Sequence, residues 1–516
     1  MEIPIATSLS DIYPDDALPS QRARWEELFA KFAQEYGHAA DFVSRSPGRV
    51  NLIGEHIDYS LYQVLPMAIT FDSLVAVAVH PPPNGSTSNI RIANVDTSRF
   101  PTRTFEVPVK GDIDIDTTAH EWTNYFKAGL NGAFQLLRKL NADFVPVGMD
   151  VVVSGSVPTG SGLSSSTAFV CASALAVMVA NGVQHIDKND LCELTIISER
   201  GIGVNSGGMD QVASVFSLRG SATYISFVPK LVVEPLQFPA TDPELTFIIT
   251  QSYVESLKAV TAPMYYNIRV TECSLAAAVL AKALGLPELP LDTSPLKISL
   301  RGFQNTYFQT QHGIPDNYEI SHAEFESQLE QLVALVEKHL PKDGYTREEI
   351  ADILDISKSA LDERYFARIA VKTDQLKLRQ RALHVYGEAL RVVKFKTKLS
   401  SHQPSASSGD ALLQELGTLM NNAQHSNKEL YECSCAELDE ICQIAREAGA
   451  YGSRLTGAGW GGCCVHLVPK DKLGQVKQAL EERYYRKRWP DMSDQKLSDA
   501  VVVSEPGSGS YVYRKS

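Results

Sequence analysis

A chain of 516 residues, with 44% hydrophobic and 21% charged side chains, has ordinary globular chemistry and exceeds what one compact core holds, so two domains are expected. Its net charge of −13 offers no basic stripe for nucleic acid or an anionic membrane, although a local cluster of backbone donors can still hold a phosphate. The opening MEIPIATSLSDIYPDD lacks a basic start before an apolar core, and the longest apolar stretch, Ala168–Ala180, is too short to span a bilayer. A cytoplasmic chain is therefore expected, with its eight cysteines as reduced thiols. Cys433, Cys435 and Cys442 lie close together, but no nearby histidine or fourth cysteine completes a zinc spacing. Packing in and beside a helix is the expectation for them.

Between Phe42 and His80, FVSRSPGRVNLIGEH and SLVAVAVH predict strands, because apolar residues alternate or run continuously between turn residues. Trp122–Leu137 has helical spacing. GMDVVVSGSVP reads as a buried strand stopped by Pro158; a bare loop follows, then a helix over Ser164–Ala180. KNDLCELTIISER predicts a helix leading into the glycine-rich turn GIGVNSGGMDQ, and TYISFVP predicts a strand.

Near Phe238 the pattern changes. LTFIITQSYV is a buried strand, NIRVTECSLAAAVLAKALG is a helix ended by glycine, and Leu286–Ser357 is mostly helical. Within it FESQLEQLVALVEKHL repeats apolar residues at three and four, and YTREEIADIL opens with a threonine cap. ALHVYGEALRVVKF is an amphipathic helix ending before SSHQPSASSGD, an exposed polar loop. LTGAGWGGCCVHLVP combines a turn, a glycine-rich loop and a buried strand, and no internal repeat is found.

Three stretches carry chemistry. SVPTGSGLSSSTAF, Ser156–Phe169, joins a buried strand to a helix, where N–H groups left unpaired by the first turn can face an anion. Its glycines let the main chain approach a phosphate, and its serines can cap the helix, donate to phosphate oxygens or reach Mg²⁺; an ordinary capped helix start fits equally well. SPGRVNLIGEHIDYSLYQVLP gathers Arg49, Glu55, His56 and Asp58 within ten residues, a set able to bind hydroxyls and neutralise a phosphoryl oxygen, or to pair internally in a solvated turn. In ISERGIGVNSGGMDQ an aspartate on a turn, Asp210, can take a proton from an attacking hydroxyl while Glu199 helps hold Mg²⁺; a plain turn aspartate is the alternative.

Together SPGRVNLIGEHIDY, PTGSGLSSSTA, GGMDQ and LTGAGWGGCCV, in this order from Ser46 to Val465, resemble the recurring motifs of galactokinases within the GHMP family of small-molecule kinases. The long helical middle and LYECSCAEL are similar to the fungal branch. The resemblance implies an α+β, two-domain GHMP kinase fold: an N-terminal mixed sheet with helices over 1–236, and a C-terminal antiparallel sheet with helices over 237–516. A helical insertion is expected at about 287–370, and the active site between the domains.

It further implies transfer of the ATP γ-phosphoryl group to the anomeric hydroxyl of galactose, with Asp210 as base or orienting group and Arg49 opposite it. That cation would keep Asp210 ionised and a weak base, favouring orientation and electrostatics over prior proton removal. Arg49, Glu55, His56, Asp58, Gly208, Asp210 and Tyr266 are implied to contact sugar. Gly160, Ser161, Gly162, Leu163, Ser164, Ser165 and Ser166 are implied to wrap the triphosphate, Trp122 and Asn124 to line the adenine pocket, and Ser166 and Glu199 to hold Mg²⁺. Gly457, Gly459, Gly461 and Gly462 would form a loop beside the site, there for close backbone approach.

Two positions depart from the family pattern. Thr167 stands where galactokinases usually have alanine, its hydroxyl expected to bond back into the turn, and Gln251 stands where many have asparagine. A related branch phosphorylates N-acetylgalactosamine, and some fungal relatives that have lost residues in the serine run serve as galactose- and ATP-dependent inducers that capture a transcriptional repressor. Here the serine run is complete, so a monomeric enzyme acting on galactose and ATP, without nucleic-acid or membrane contact, is the expectation.

Overall fold

The computed structural model describes residues 1–81, 87–116, 119, 121–201, 207–255, 265–315, 317–367, 371, 373, 375–402 and 408–515. Thirteen strands are present among them: β1 Ile5–Ala6, β2 Phe42–Ile53, β3 Leu65–His80, β4 Ser88–Asn94, β5 Arg103–Val107, β6 Gly148–Gly155, β7 Ser221–Ser226, β8 Val232–Gln237, β9 Leu245–Gln251, β10 Gly452–Thr456, β11 Cys463–Pro469, β12 Val501–Ser504 and β13 Tyr511–Tyr513. A seven-stranded sheet runs β1-β13-β2-β3-β6-β4-β5, a four-stranded sheet β10-β11-β9-β12, and β7 and β8 form a separate ribbon. The first sheet is mixed, because β1 pairs parallel with β13 and β4 parallel with β6; every pairing in the second is antiparallel. This is the expected α+β arrangement, with the last strand returning to the first sheet.

β2 and β3 are buried along nearly their whole length, which explains why they read as continuous rather than alternating apolar runs. The helix Ser165–Ala180 lies on them, buried at all but three positions. In the expected insertion, helices Leu300–His312, His322–His339, Arg347–Leu354 and Lys358–Tyr365 follow one another. Thr346 caps the third with a reciprocal bond from Glu349, as its sequence predicts.

Some boundaries differ from the sequence reading. The helix expected to end before SSHQPSASSGD spans Leu378–Ser401, and Ser408–Asp410 already open the helix Ser408–Glu429, so both ends of that polar stretch are helical; residues 403–407 lie outside the described ones. Leu399 near the end of the first helix and Leu412 and Leu413 near the start of the second are buried, and these packed turns carry the adjoining polar residues in helical conformation against their local propensity. Among the described residues no helix is long and apolar enough to cross a membrane. Cys433 donates to the Asn427 carbonyl and Cys442 lies 3.6 Å from Cys464 Sγ, so this cluster packs in the core as expected.

The second sheet buries His466 between Thr250 Oγ1 at 2.8 Å and Ser453 Oγ at 3.0 Å. Burial pushes its imidazole down to about 3, and burial likewise holds His384, on the helix Leu378–Ser401, at about 4. The unfolded chain protonates both near 6.5, so between that pH and the folded values it binds more protons and acid favours unfolding. The contribution of these two histidines is therefore fully present above pH 6.5 and lost as pH falls toward 4, by on the order of 2–3 kcal/mol each. Urea midpoints measured between pH 4.5 and 7 should fall less toward acid in His466→Gln than in the parent chain; the same pH profile in both would contradict this.

Candidate active site

A cavity with about 280 Å³ of empty space is lined by Arg49, Glu55, His56, Asp58, Met209, Asp210, Tyr266, Gly457 and Ala458. Six of the residues implied for sugar binding therefore meet in one place. Gly208, the seventh, caps the helix Met209–Phe216 at φ +116°, a conformation that favours glycine. Asp210 consequently stands in the first turn of a helix, not on a free turn as the sequence suggested; residues 202–206 of that stretch lie outside the described ones.

Arg49, on β2, is almost fully buried and reaches the oxygens of two partners from one guanidinium. Its Nε and Nη2 lie 2.9 and 2.8 Å from Asp210 Oδ1, and its Nη1 donates to the Gly162 carbonyl at 2.7 Å. The other Asp210 oxygen accepts from Ser164 Oγ at 2.6 Å. Ser164 occupies the helix N-cap position but at φ +61°, with no capping bond from its side chain. The expectation of a serine cap is thus corrected: the hydroxyl serves the carboxylate, since the left-handed backbone turns it away from the helix N–H groups. These groups of Ser165, Ser166 and Thr167 have no intrahelical acceptor by helix geometry.

Around the loop, Ser161 Oγ turns inward to the Pro158 carbonyl at 2.6 Å. A Cβ on Gly457 would lie 2.1 Å from the Gly162 oxygen, and one on Gly462 would lie 2.6 Å from the Ser161 oxygen. The glycine loop after β10 thus presses its backbone directly on Gly160–Leu163, the close approach expected for it. Trp122 stacks on Phe169 with ring centroids 6.1 Å apart, one turn beyond the serines. Asn124 instead spends its amide on the Asp116 and Ala119 carbonyls at 2.9 and 3.1 Å.

Ser166 Oγ donates to Glu199 Oε1 at 3.0 Å, and Glu199 Oε2 accepts from the Gln211 amide. Gln211 Oε1 is buried with no hydrogen-bond partner among the described residues. Ser166 Oγ and Glu199 offer neighbouring hard oxygens, the donor chemistry that Mg²⁺ takes. Thr167 Oγ1 lies 3.0 and 2.8 Å from the two Glu199 oxygens, so it does not bond back into its own turn; the carboxylate is the stronger acceptor. Thr167→Ala should lower stability by about 1–2 kcal/mol while leaving turnover nearly unchanged. Thermal unfolding and steady-state rates would check both, and a large change in turnover would count against it.

Beneath the pocket lies a charged cluster that sequence reasoning missed. Arg454, on β10 and fully buried, donates to Glu55 Oε2 at 3.1 Å and lies 3.4 Å from Glu388 Oε1. Glu388 also accepts from the Gly54 and Glu55 N–H groups at 2.9 and 3.2 Å and from Arg391 at 2.7 Å. Burial pushes the Glu55 carboxyl up to about 7 against the opposing pull of Arg454, whereas Arg391 and Arg454 hold Glu388 down at about 2 despite its burial. His384 Nε2 donates to the Glu55 carbonyl at 3.0 Å. An acid and a histidine on the apolar face of ALHVYGEALRVVKF were the available signal.

His56 Nε2 donates to the Ala458 carbonyl at 2.8 Å, which leaves Nδ1 to accept from Tyr59 Oη at 3.0 Å. Tyr59 in turn bonds Tyr431. Tyr266, at the start of the helix Tyr266–Ala283, sets its ring 5.3 Å from that of His56. Asp58 Oδ2 accepts from the Met209 N–H at 3.3 Å, coupling the signature segment to the Asp210 helix.

Residues 30–79 match the galactokinase galactose-binding signature, and residues 124–217 and 410–486 match the N-terminal and C-terminal GHMP kinase domains. A galactokinase of Saccharomyces cerevisiae is 43% identical, over 94% of each chain. One of Candida albicans is 42% identical over 99% of each. The solved structure of a Lactococcus lactis galactokinase complexed with galactose superimposes with a TM-score of 0.64 at 22% identity, covering 94% of this chain and 99% of that one, which supports the fold. Identity of this degree over nearly the full length, together with a matching signature on the very segment that lines the pocket, establishes that the chain belongs to the galactokinase family of GHMP kinases.

Proposed function

We propose that the chain phosphorylates galactose at its anomeric hydroxyl, taking the γ-phosphoryl group from ATP. The observation that carries this is the Asp210 carboxylate, held by Arg49 on one oxygen and Ser164 on the other, at the wall of a small polar pocket directly beside the glycine-serine loop. Asp210 orients the sugar hydroxyl by accepting its proton's hydrogen bond, and receives that proton as the bond to phosphorus forms. Arg49, bound to both Asp210 and the loop, stabilises charge on the transferring group and fixes the distance between base and loop.

Glu55, Asp58 and Tyr266 bind the remaining hydroxyls, with the His56 ring, its two nitrogens held by Ala458 and Tyr59, packed as a wall beside them; a site that hydrogen-bonds one axial hydroxyl rejects the epimer by leaving buried groups unpaired. Gly160–Ser166 receive the triphosphate on their N–H groups, with Trp122 beside the base. Ser166 and Glu199 are the residues that would hold Mg²⁺, whose chemistry is to neutralise phosphate charge. We place the division of the chain at 236/237, with the helical insertion at about 287–370, and a cytoplasmic monomer as its working form.

The test is phosphoryl transfer by the purified chain with ATP and Mg²⁺ on galactose, glucose and N-acetylgalactosamine. A 1-phosphate formed from galactose in strong preference to the other two is expected. Preference for N-acetylgalactosamine would overturn the substrate, and capture of a transcriptional repressor in the presence of both ligands without any transfer would overturn the enzyme.

A further inference from the structure

At one rim of the seven-stranded sheet, far from the pocket, three elements bring two imidazoles to one carboxylate. His38 follows the helix Leu18–Tyr36, His80 ends β3, and Asp150 is the third residue of β6. His38 Nε2 lies 3.0 Å and His80 Nε2 2.6 Å from the same oxygen, Asp150 Oδ2. The ring centroids are 5.6 Å apart, and one ligand atom from each of the three residues lies within 4.8 Å of the others, the one such trio of His, Cys, Asp or Glu among the described residues. Asp150 is 1% exposed while the imidazoles are 39% and 45% exposed, so the carboxylate forms a floor and the open side faces solvent.

His38 Nδ1 lies 3.2 Å from the Ala39 carbonyl, an acceptor suited to the N–H of a ring whose Nε2 is a ligand. Its Nε2 is thereby aimed at Asp150 Oδ2, the same oxygen that the second ring faces. Arg91 Nη2 and His80 Nε2 reach Oδ2 as well, both at 2.6 Å, and Arg91 Nε takes Oδ1 at 2.6 Å. Three groups therefore converge on one oxygen that has two lone pairs.

We propose that His38 Nε2, His80 Nε2 and Asp150 Oδ2 form a binding site for a divalent transition cation of the zinc class, with water in the fourth position. Two imidazoles and a carboxylate suit such an ion, and Mg²⁺ or Ca²⁺ would not choose them. The Ala39 carbonyl fixes the ring orientation of His38, and Arg91 Nε on Oδ1 fixes the carboxylate, as outer partners of metal ligands do. Arg91 Nη2 yields Oδ2 to the ion. Asp150 lies five residues before Gly155 on β6, about 17 Å along the strand from where the phosphate loop begins. The ion accordingly ties the end of the first helix to the sheet and takes no part in phosphoryl transfer.

The full chain, stripped with chelator, is titrated with zinc by calorimetry, with thermal unfolding recorded alongside. One equivalent should bind the wild type and raise Tm, and excess Mg²⁺ should not displace it. His38→Ala and His80→Ala should each weaken that binding at least about tenfold, and His80→Ala should leave turnover on galactose without zinc unchanged. Asp150→Asn should also abolish the Tm rise; if it fails to fold, the two exposed histidines still carry the test. Zinc binding of equal stoichiometry and affinity in the double His38→Ala, His80→Ala variant, or no binding to the wild type, would overturn the site.

Discussion

Asp210→Asn is expected to lower kcat on galactose by about 10²- to 10⁴-fold, the usual contribution of a positioned proton acceptor. Asparagine keeps the size of the side chain and offers Arg49 one oxygen at the position of Oδ1. Its amide nitrogen, however, faces Ser164 Oγ, which now donates to the carboxylate at 2.6 Å, and it cannot accept the sugar's proton. The loss should therefore fall on kcat far more than on the KM for either substrate, because the other sugar-facing residues and the loop glycines are unaltered. Ser164→Ala should give a smaller loss of the same kind, since it removes one orienting bond and leaves the base. Steady-state rates with galactose and ATP varied separately decide the matter; unchanged kcat in Asp210→Asn would remove Asp210 from the reaction.

The second large effect concerns a residue behind the pocket. Arg454→Met should destabilise the chain by about 3–5 kcal/mol, because removing one member of a buried ionic cluster leaves the others uncompensated. Here those are Glu55 and Glu388, both buried carboxylates served by the same guanidinium. Without Arg454 the Glu55 carboxyl, already raised to about 7 by burial, rises further and is neutral at pH 7. A protonated Glu55 with one anchor fewer binds hydroxyls in a different pattern, so the KM for galactose should increase while the KM for ATP changes little. Arg454→Lys should recover part of the stability, since it restores charge without the fork that reaches both acids. Urea unfolding and KM measurements check the two halves separately, and an Arg454→Met chain as stable as the parent would contradict the cluster's role.

Much of the site was legible in the sequence because its pieces are short and local. Arg49, Glu55, His56 and Asp58 come from one stretch of ten residues, and the loop that abuts them announces itself by glycines and serines between a strand and a helix. Nothing local could bring Arg454 and Glu388 under Glu55, because that contact spans more than 300 residues and depends on how the second sheet meets the first. The same holds for Ser164, whose hydroxyl looked like a cap and is aimed at Asp210 by a left-handed backbone that no residue preference signals. Thr167 failed differently: its β-branched chemistry was recognised, but its acceptor, Glu199, sits on another helix. In the fold, the buried strands and the helices of the middle region followed from periodicity, whereas the helix Ser408–Glu429 was hidden because its first residues are those of a polar loop.

The position of β13 bears on how the chain is made. Tyr511–Tyr513 lie between β1 and β2, and Tyr513 packs its ring 4.8 Å from Trp25 of the first helix. In the first sheet β1 has β13 as its neighbour, and one side of Trp25 is covered by Tyr513, so both wait for the last of the thirteen described strands to be made. The strands from β2 to β6 can pair before β13 exists, but the β1 edge of the sheet closes only once it does, and until then the open edge of β2 is a surface a chaperone would have to shield.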